Sequence, residues 1–342
     1  MEIVQHTEIG KFIHVSDLKK LPYHFSSEYI DFSIKILKRN CLLFHSKALN
    51  AIMPVSSYRV RSFRLLQPIF PPLSPTGEKM SLDNERIFLN DFITIVKKNR
   101  TGIRVIQPPG YSVFQATPEH SIFCPFGTYL LTLENRSESE IFEKIHPKHR
   151  NVIRNAIKEG VEIRWGDDTL DDFYELYQST MQRSSMYCEP ADYFRQMKFF
   201  LKDMLLCGVA YYKGKPQGAL IVPYSGYGGF YMFGATAPKV EVTGSMNLLQ
   251  WEVIKLLLKK GVKRYDFAGA RLSNVTATKL EGIQNFKKRF GGELVQGYLW
   301  KMDIDSTSCK IFDNLLKVNR LLKGGKKYND IIDEELEKCN PK

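Results

Sequence analysis

The sequence predicts an α+β fold in which mixed, largely antiparallel sheets are flanked by helices. Three apolar runs, at 209–213, 217–224 and 230–234, alternate with turns, one of them the glycine-rich SGYGG at 225–229. Apolar runs joined by such turns are typical of antiparallel strands. Before and after them, apolar residues recur at spacings of three and four, which indicates amphipathic helices packed on the strands.

Residues 1–137 are predicted to form a first α/β unit. Short apolar runs at 41–45 and 51–55 indicate strands, and the proline-rich stretch at 68–72 is a loop. A helix is predicted over 84–99, because four apolar residues share one face of it: Ile87, Phe88, Phe92 and Ile95. Strands at 103–107 and 128–133 complete this unit.

The stretch 138–160 has a helical pattern that is interrupted at Pro147. Proline lacks a backbone donor and fits best near the start of a second helix. One face of that helix is predicted to be apolar, with Val152, Ile153, Ala156 and Ile157. The opposite face carries a stripe of three cations spaced four apart, Arg150, Arg154 and Lys158. This basic stripe is interpreted either as a solvated helix face or as a track for phosphate groups.

The second half predicts helices at 170–181 and 193–200, followed by the three strands above. Thr243 is the predicted cap of a helix over 245–260, and Gly261 ends it. Strands at 264–268 and 294–302 then enclose one more helix. Its apolar stripe consists of Leu280, Ile283, Phe286 and Phe290, and its last turn carries Lys287, Lys288 and Arg289. Cations in that position complement the helix dipole, which is the simplest explanation for them.

Length and composition favour a two-domain protein with an anionic partner. The chain has 342 residues, more than one typical domain, and 49 Lys and Arg against 37 Asp and Glu give a net charge of +12. Six cysteines without CxxC pairs suggest reduced, buried thiols. No stretch resembles a membrane span or a signal peptide, so we expect a cytoplasmic protein.

Three motifs resemble the FemABX family of peptidyltransferases. In that family a strand of the form YDFxG leads through a loop to a helix that ends FKxxFGG. Here YDFAG stands at 265–269 and FKKRFGG at 286–292. Upstream, TYLLTL at 128–133 precedes a basic helical run that ends KEGVEI at 158–163, as in the family. The resemblance extends from about residue 128 to residue 300.

The resemblance implies two domains with the fold of GNAT acyltransferases. They are expected at 1–137 and 138–304, and helices at 305–342 are expected to pack back on the first domain. The implied activity is transfer of an amino acid from aminoacyl-tRNA to the amine of a cell-wall precursor peptide during formation of peptidoglycan bridges. Such a reaction needs no cofactor. Its partners would be aminoacyl-tRNA, a nucleotide-linked or lipid-linked muropeptide and, at the periphery, an anionic membrane surface.

The family motifs also suggest roles for individual residues. Lys287 aligns with the lysine of FKxxFGG and is the candidate for stabilising the oxyanion or the leaving ribose oxygen. Asp266 is a candidate for orienting or deprotonating the attacking amine, or else a structural acceptor of backbone N–H groups from the 269–274 loop. Arg183 corresponds to a family arginine that contacts the precursor diphosphate, although SSMY at 184–187 departs from the family pattern. Tyr231 and Arg289 are further candidates for substrate binding, and the basic stripe for contact with tRNA.

The sequence leaves two other functions open. A GNAT-type acyltransferase that uses acyl-CoA normally needs a Q/RxxGxG/A loop for the pyrophosphate, whereas residues 234–245 offer only Gly234 and Gly244. A noncatalytic RNA-binding or scaffold protein with the same fold is the third possibility, because fold does not fix function.

Overall fold

The structure, a computed structural model, describes residues 1–5, 19–109, 112–273, 279–323 and 330–339. The strands are β1 (Glu2–Gln5), β2 (Asn40–Ser46), β3 (Ala51–Val60), β4 (Phe63–Pro68), β5 (Arg104–Ile106), β6 (Ile122–Thr132), β7 (Glu162–Trp165), β8 (Leu205–Tyr212), β9 (Lys215–Pro223), β10 (Gly229–Phe230), β11 (Phe233–Thr236), β12 (Arg264–Arg271) and β13 (Glu293–Asp303). The helices are α1 (Ser27–Lys35), α2 (Leu82–Asn99), α3 (Glu138–Lys144), α4 (Pro147–Lys158), α5 (Leu170–Arg183), α6 (Ala191–Leu201), α7 (Ser245–Lys259), α8 (Lys279–Arg289), α9 (Ser306–Lys323) and α10 (Ile331–Cys339).

Nine of these strands form one sheet in the order β1-β2-β3-β4-β5-β13-β6-β12-β10. Among its described strand pairs, only β4/β5 and β10/β12 are parallel. The late strand β13 lies between β5 and β6, so this sheet joins the beginning and the end of the chain. The mixed, largely antiparallel α+β architecture that the sequence predicts is confirmed.

A second sheet has the order β11-β9-β8-β7 and is antiparallel throughout. Alternate residues of β9 enter two different cores, as expected for a strand covered on both faces. Ala219 and Ile221 pack in the core that includes α5, while Leu220 and Val222 pack in the core that includes α7. The sheet is therefore a layer between these two helices.

The predicted third strand of the meander, at 230–234, divides between the two sheets. Phe230 in β10 pairs in parallel with Asp266 in β12, whereas β11 pairs with β9. In the link between them, Tyr231 N donates to Asp266 O at 2.8 Å and Met232 N donates to Ile221 O at 3.1 Å. The chain thus crosses from one sheet to the other at Tyr231, and the sheets diverge there. A continuous apolar run gives no signal for this crossing.

Several helix faces differ in detail from the sequence pattern. In α2 the buried face contains Phe88, Leu89, Phe92, Ile93 and Val96, whereas Ile87 is 50% exposed. Ile157 in α4 is likewise 56% exposed, although Pro147 does begin this helix. Helix α7 begins after Gly244 and has no side-chain cap, so the predicted cap at Thr243 is wrong. When two adjacent residues of a helix are both apolar, a small rotation of the helix about its axis decides which of them is buried.

The two last helices contact strands from both halves of the chain. Arg104 in β5 makes ion pairs with Asp303 (2.5 Å) and with Asp313 of α9 (2.8 Å). Arg271 at the end of β12 pairs with Glu334 of α10 at 2.5 Å. Within the described ranges no helix is both long and apolar enough to cross a membrane.

Candidate active site

A bulge in β12 is the most unusual backbone feature near the family motifs. The register of β12 against β6 shifts between Asp266 and Gly269. Within the bulge Ala268 has φ of 60°, in the left-handed region that costs a non-glycine residue roughly 1–2 kcal/mol. Bulges and such strained residues are concentrated next to active sites, where they direct backbone groups out of the ladder. The carbonyls of this bulge are therefore candidates for holding a functional group.

Helix α8 places Lys287 on the bulge. Its Nζ donates to Ala268 O at 2.7 Å and to Gly269 O at 2.8 Å, and the residue is only 7% exposed. These acceptors belong to β12, so the contacts are not those of a lysine that caps its own helix. An ammonium group has three donors, and in the described part of the chain the third has no protein partner. Its neighbour Lys288 is exposed.

Burial changes the protonation of Lys287. Desolvation lowers the pKa of its ammonium group to about 8, and the charge of Asp266 acts in the opposite direction. The residue is therefore still largely protonated at neutral pH but can release a proton near pH 8. Such tuning suits either a fixed cation or a proton donor.

Asp266 stabilises the bulge from inside the sheet. It is 3% exposed, and its Oδ1 accepts from Ala268 N at 2.7 Å and from the hydroxyl of Thr128. Within the described residues the backbone donor is Ala268 in the bulge itself, not the predicted 269–274 loop, whose residue 274 lies outside them. Desolvation raises the pKa of Asp266 to about 7, while Thr128, Ala268 and then Lys287 counteract it. Asp266 positions the carbonyls that in turn position Lys287.

A small cavity lies beside Asp266 and brings two more cations to it. Its lining includes Lys79, Arg264, Thr128 and Tyr227. The guanidinium of Arg264 lies 4.2 Å from the centre of the Tyr227 ring. Desolvation and Arg264 lower the pKa of Lys79, against the opposing charge of Asp266. Lys79 was not singled out from the sequence, because it lies in a loop outside every motif.

Of the other predicted substrate-binding residues, one lies in the crossing between the sheets and another contacts the strand that follows it. Tyr231 lies in the crossing itself, and desolvation raises the pKa of its hydroxyl to about 12. Arg183 is exposed at the end of α5 and donates through Nη2 to Thr236 O at 2.7 Å and to Thr180 Oγ1 at 3.0 Å. It therefore connects α5 to β11, the strand that leaves the crossing.

The basic stripe on α4 begins next to the end of α8. His146 N donates to Arg289 O at 2.8 Å, which joins the two helices. Along α4, Arg150 is half-buried, whereas Arg154 and Lys158 are exposed, with Arg154 lying 5.4 Å from the Phe142 ring centre. The structure thus places Arg289 beside the start of the helix that carries the stripe.

The chain matches a family model and several solved structures. Residues 91–213 match the model of the FemAB family. No curated protein matches the sequence. Among solved structures, FemX is 12% identical with a TM-score of 0.66, over 91% of this chain and 99% of that one. The C-terminal domain of a putative lysylphosphatidylglycerol synthetase from Agrobacterium fabrum is 11% identical with a TM-score of 0.51, over 92% and 97%.

The chain has the fold seen in FemX. Together with the family model, this confirms the resemblance to the FemABX family that the motifs predict. The matched segment 91–213 contains β6 and the basic stripe, while Asp266 and Lys287 lie beyond it. Their roles therefore rest on their own contacts.

Proposed function

We propose that this protein is an aminoacyltransferase that moves an amino acid from aminoacyl-tRNA to the amine of a peptidoglycan precursor peptide. The single observation that carries the proposal is the buried Lys287 ammonium, fixed on the β12 bulge with one donor unused by the described residues. The FemAB match and the FemX fold support the same activity. Because aminoacyl-tRNA is the donor, the reaction belongs in the cytoplasm.

The reaction places a defined demand on the site. The amine attacks the ester carbonyl, a C–N bond forms, the C–O bond to the ribose breaks, and the amine proton is transferred to solvent or to the departing ribose oxygen. Negative charge develops first on the carbonyl oxygen and then on that ribose oxygen. A preorganised cation at this point is worth about 3–4 kcal/mol of barrier. Lys287 supplies it, and its pKa near 8 also lets it give a proton to the leaving oxygen and take the amine proton in return.

Asp266 serves this site through the backbone. Its Oδ1 holds the N–H of Ala268, so the strained bulge keeps its two carbonyls directed at Lys287. Loss of that acceptor releases Ala268 to a more common conformation. Asp266 is therefore proposed as a positioning residue, with the ionised carboxylate as its working form.

The acyl-CoA alternative is disfavoured by the start of α7. A pyrophosphate bound at this helix would need exposed backbone N–H groups. Instead Ser245 is 2% exposed, and a Cβ added to Gly244 would lie 2.6 Å from the carbonyl oxygen of Val152 in α4. Helix α4 thus covers the place where a CoA pyrophosphate would bind.

A transfer assay with competing donors tests the proposed function. The purified protein is incubated with a mixture of tRNAs charged with labelled amino acids, or with labelled acyl-CoA, and with nucleotide-linked or lipid-linked muropeptides. We expect label from the tRNA mixture alone to reach the muropeptide amine. Transfer from acyl-CoA only, or from neither donor, would overturn the proposal.

The basic stripe gives a further prediction. If Arg150, Arg154 and Lys158 contact tRNA phosphates, replacing all three by Ala should make the dependence of log affinity on log salt shallower by about two to three units. Fluorescence titration of labelled tRNA at several salt concentrations measures this slope. An unchanged slope would assign the stripe to a solvated helix face.

A further inference from the structure

A large basic cavity lies at the end of the nine-stranded sheet that is remote from Lys287. Its volume is about 730 Å³, and it is formed by the β3–β4 hairpin, the end of α2 and the segment that leads into α9. Four cations line it: Arg59, Arg64, Lys97 and Arg100. Among the described residues, a single carboxylate lines it, that of Asp305.

The two hairpin arginines face each other across the strands. Arg59 in β3 is the direct register partner of Arg64 in β4, and both are exposed. Like charges at directly opposed positions of an antiparallel pair destabilise it. The helix dipole of α2 accounts for Lys97 beside its carboxyl end but not for the arginines of the hairpin. An anion between the strands and the helix would remove this repulsion.

Carboxylates of the described residues do not neutralise these cations. Asp305 interacts electrostatically with Arg100 but forms no ion pair with it. Nearby Arg104 is neutralised by Asp303 and Asp313, so carboxylates are available where the fold needs them. Within the described ranges, none of the four cavity cations makes an ion pair. Asp305 instead caps α9, accepting from Thr307 N at 3.1 Å and from Ser308 N at 3.1 Å. The cavity therefore keeps a net positive charge directed at solvent.

The position of the cavity limits which anion it serves. Leu130 of β6 lies opposite Asp266, and Ile122, eight residues earlier, lies opposite Lys301 near the cavity end. At about 3.3 Å per residue the cavity is roughly 26 Å or more from the bulge. A small substrate held by Lys287 does not reach so far, whereas a nucleic acid helix carries phosphates over that distance.

We propose that this cavity binds backbone phosphates in the body of the donor tRNA while its aminoacylated end lies at Lys287. The inference rests on the proposed function. The guanidinium group of arginine can donate two parallel hydrogen bonds to phosphate oxygens. The hydroxyls of Ser62, Thr101 and Ser306 add neutral donors in the lining. The concave shape fits a projecting sugar–phosphate strand better than a flat lipid surface.

The test uses the hairpin variant Arg59→Thr/Arg64→Thr. Threonine suits strands and removes the opposed charges, so the melting temperature should not fall. We expect tRNA affinity at low salt to drop on the order of tenfold and the log–log salt slope to become shallower by about 1.5–2. The matched control, Arg86→Ala/Arg195→Ala, removes two exposed arginines outside the cavity and should bind tRNA like the parent protein.

Transfer from two donors separates the cavity from the active site. With full-length aminoacyl-tRNA the hairpin variant should be slower than the parent at subsaturating donor. With an aminoacylated oligonucleotide that carries only the 3′ end, the two proteins should be equal, because that donor ends before the cavity. Equal tRNA affinity and equal salt slope in the hairpin variant and the parent would overturn the inference. The inference would also be overturned if the hairpin variant lost binding to phosphatidylglycerol vesicles but still bound tRNA like the parent. If the parent protein uses neither donor, the proposed function fails. The tRNA titration still shows whether the cavity binds tRNA.

Discussion

Replacing Lys287 by Ala is expected to lower the single-turnover rate of aminoacyl transfer on the order of a hundredfold. The lost ammonium is buried, fixed by Ala268 O and Gly269 O, and placed to meet charge that develops only in the transition state. Truncation also leaves two buried carbonyls without a donor, at about 1–3 kcal/mol, so the melting temperature should fall on the order of 5 °C. The rate is therefore measured well below that temperature, on folded protein.

The adjacent lysine provides the matched control. Lys288 is exposed and lies in the same last turn, so Lys288→Ala removes the same charge from the helix end without touching β12. A cation in the last turn is worth about 0.3–1 kcal/mol to a helix, which predicts a small effect on stability and almost none on rate. Equal transfer rates for the two variants would reject Lys287 as a catalytic residue.

The sequence motifs locate the catalytic strand and helix but not their geometry. The order YDFAG, loop, FKKRFGG predicts β12 and α8 and singles out Asp266 and Lys287. Periodicity places Lys287 among surface cations, because the apolar stripe of α8 passes beside it. Only the bulge, with its two outward carbonyls, makes it favourable to bury an ammonium there. Such a bulge does not change the spacing of apolar residues along the sequence, so that spacing cannot predict it.

The remaining differences arise from tertiary context. The run 230–234 is equally apolar on both sides of Tyr231, so its division between two sheets depends on which strand lies alongside. The division into domains at 137/138 and 304/305 remains a prediction, and β13 lies between β5 and β6 of the same sheet. Lys79 and the basic cavity come from loops and strand ends that meet only after folding. Net charge predicted an anionic partner, but spacing along the chain did not reveal this cluster.

The rate of transfer should depend on pH with a maximum between about 7 and 8. Asp266, with its pKa raised to about 7, loses its charge below that value and holds the Ala268 N–H less strongly. Lys287, with its pKa lowered to about 8, loses its cation above that value. Each limb should approach a tenfold change per pH unit, which makes this one of the largest effects expected. Single-turnover rates from pH 5.5 to 9.5, corrected for spontaneous hydrolysis of the ester, give the profile.

Two substitutions assign the limbs to their residues. Thr128→Val removes a donor that favours the ionised carboxylate, so the pKa of Asp266 should rise and the acid limb should move to higher pH. Lys287→Arg keeps a group that stays charged above pH 12, so the alkaline limb should disappear even if the rate is lower. Lys288→Arg should leave both limbs in place. A profile that is flat from pH 6 to 9, or limbs that stay unmoved in the first two variants, would show that neither Asp266 nor Lys287 governs the step.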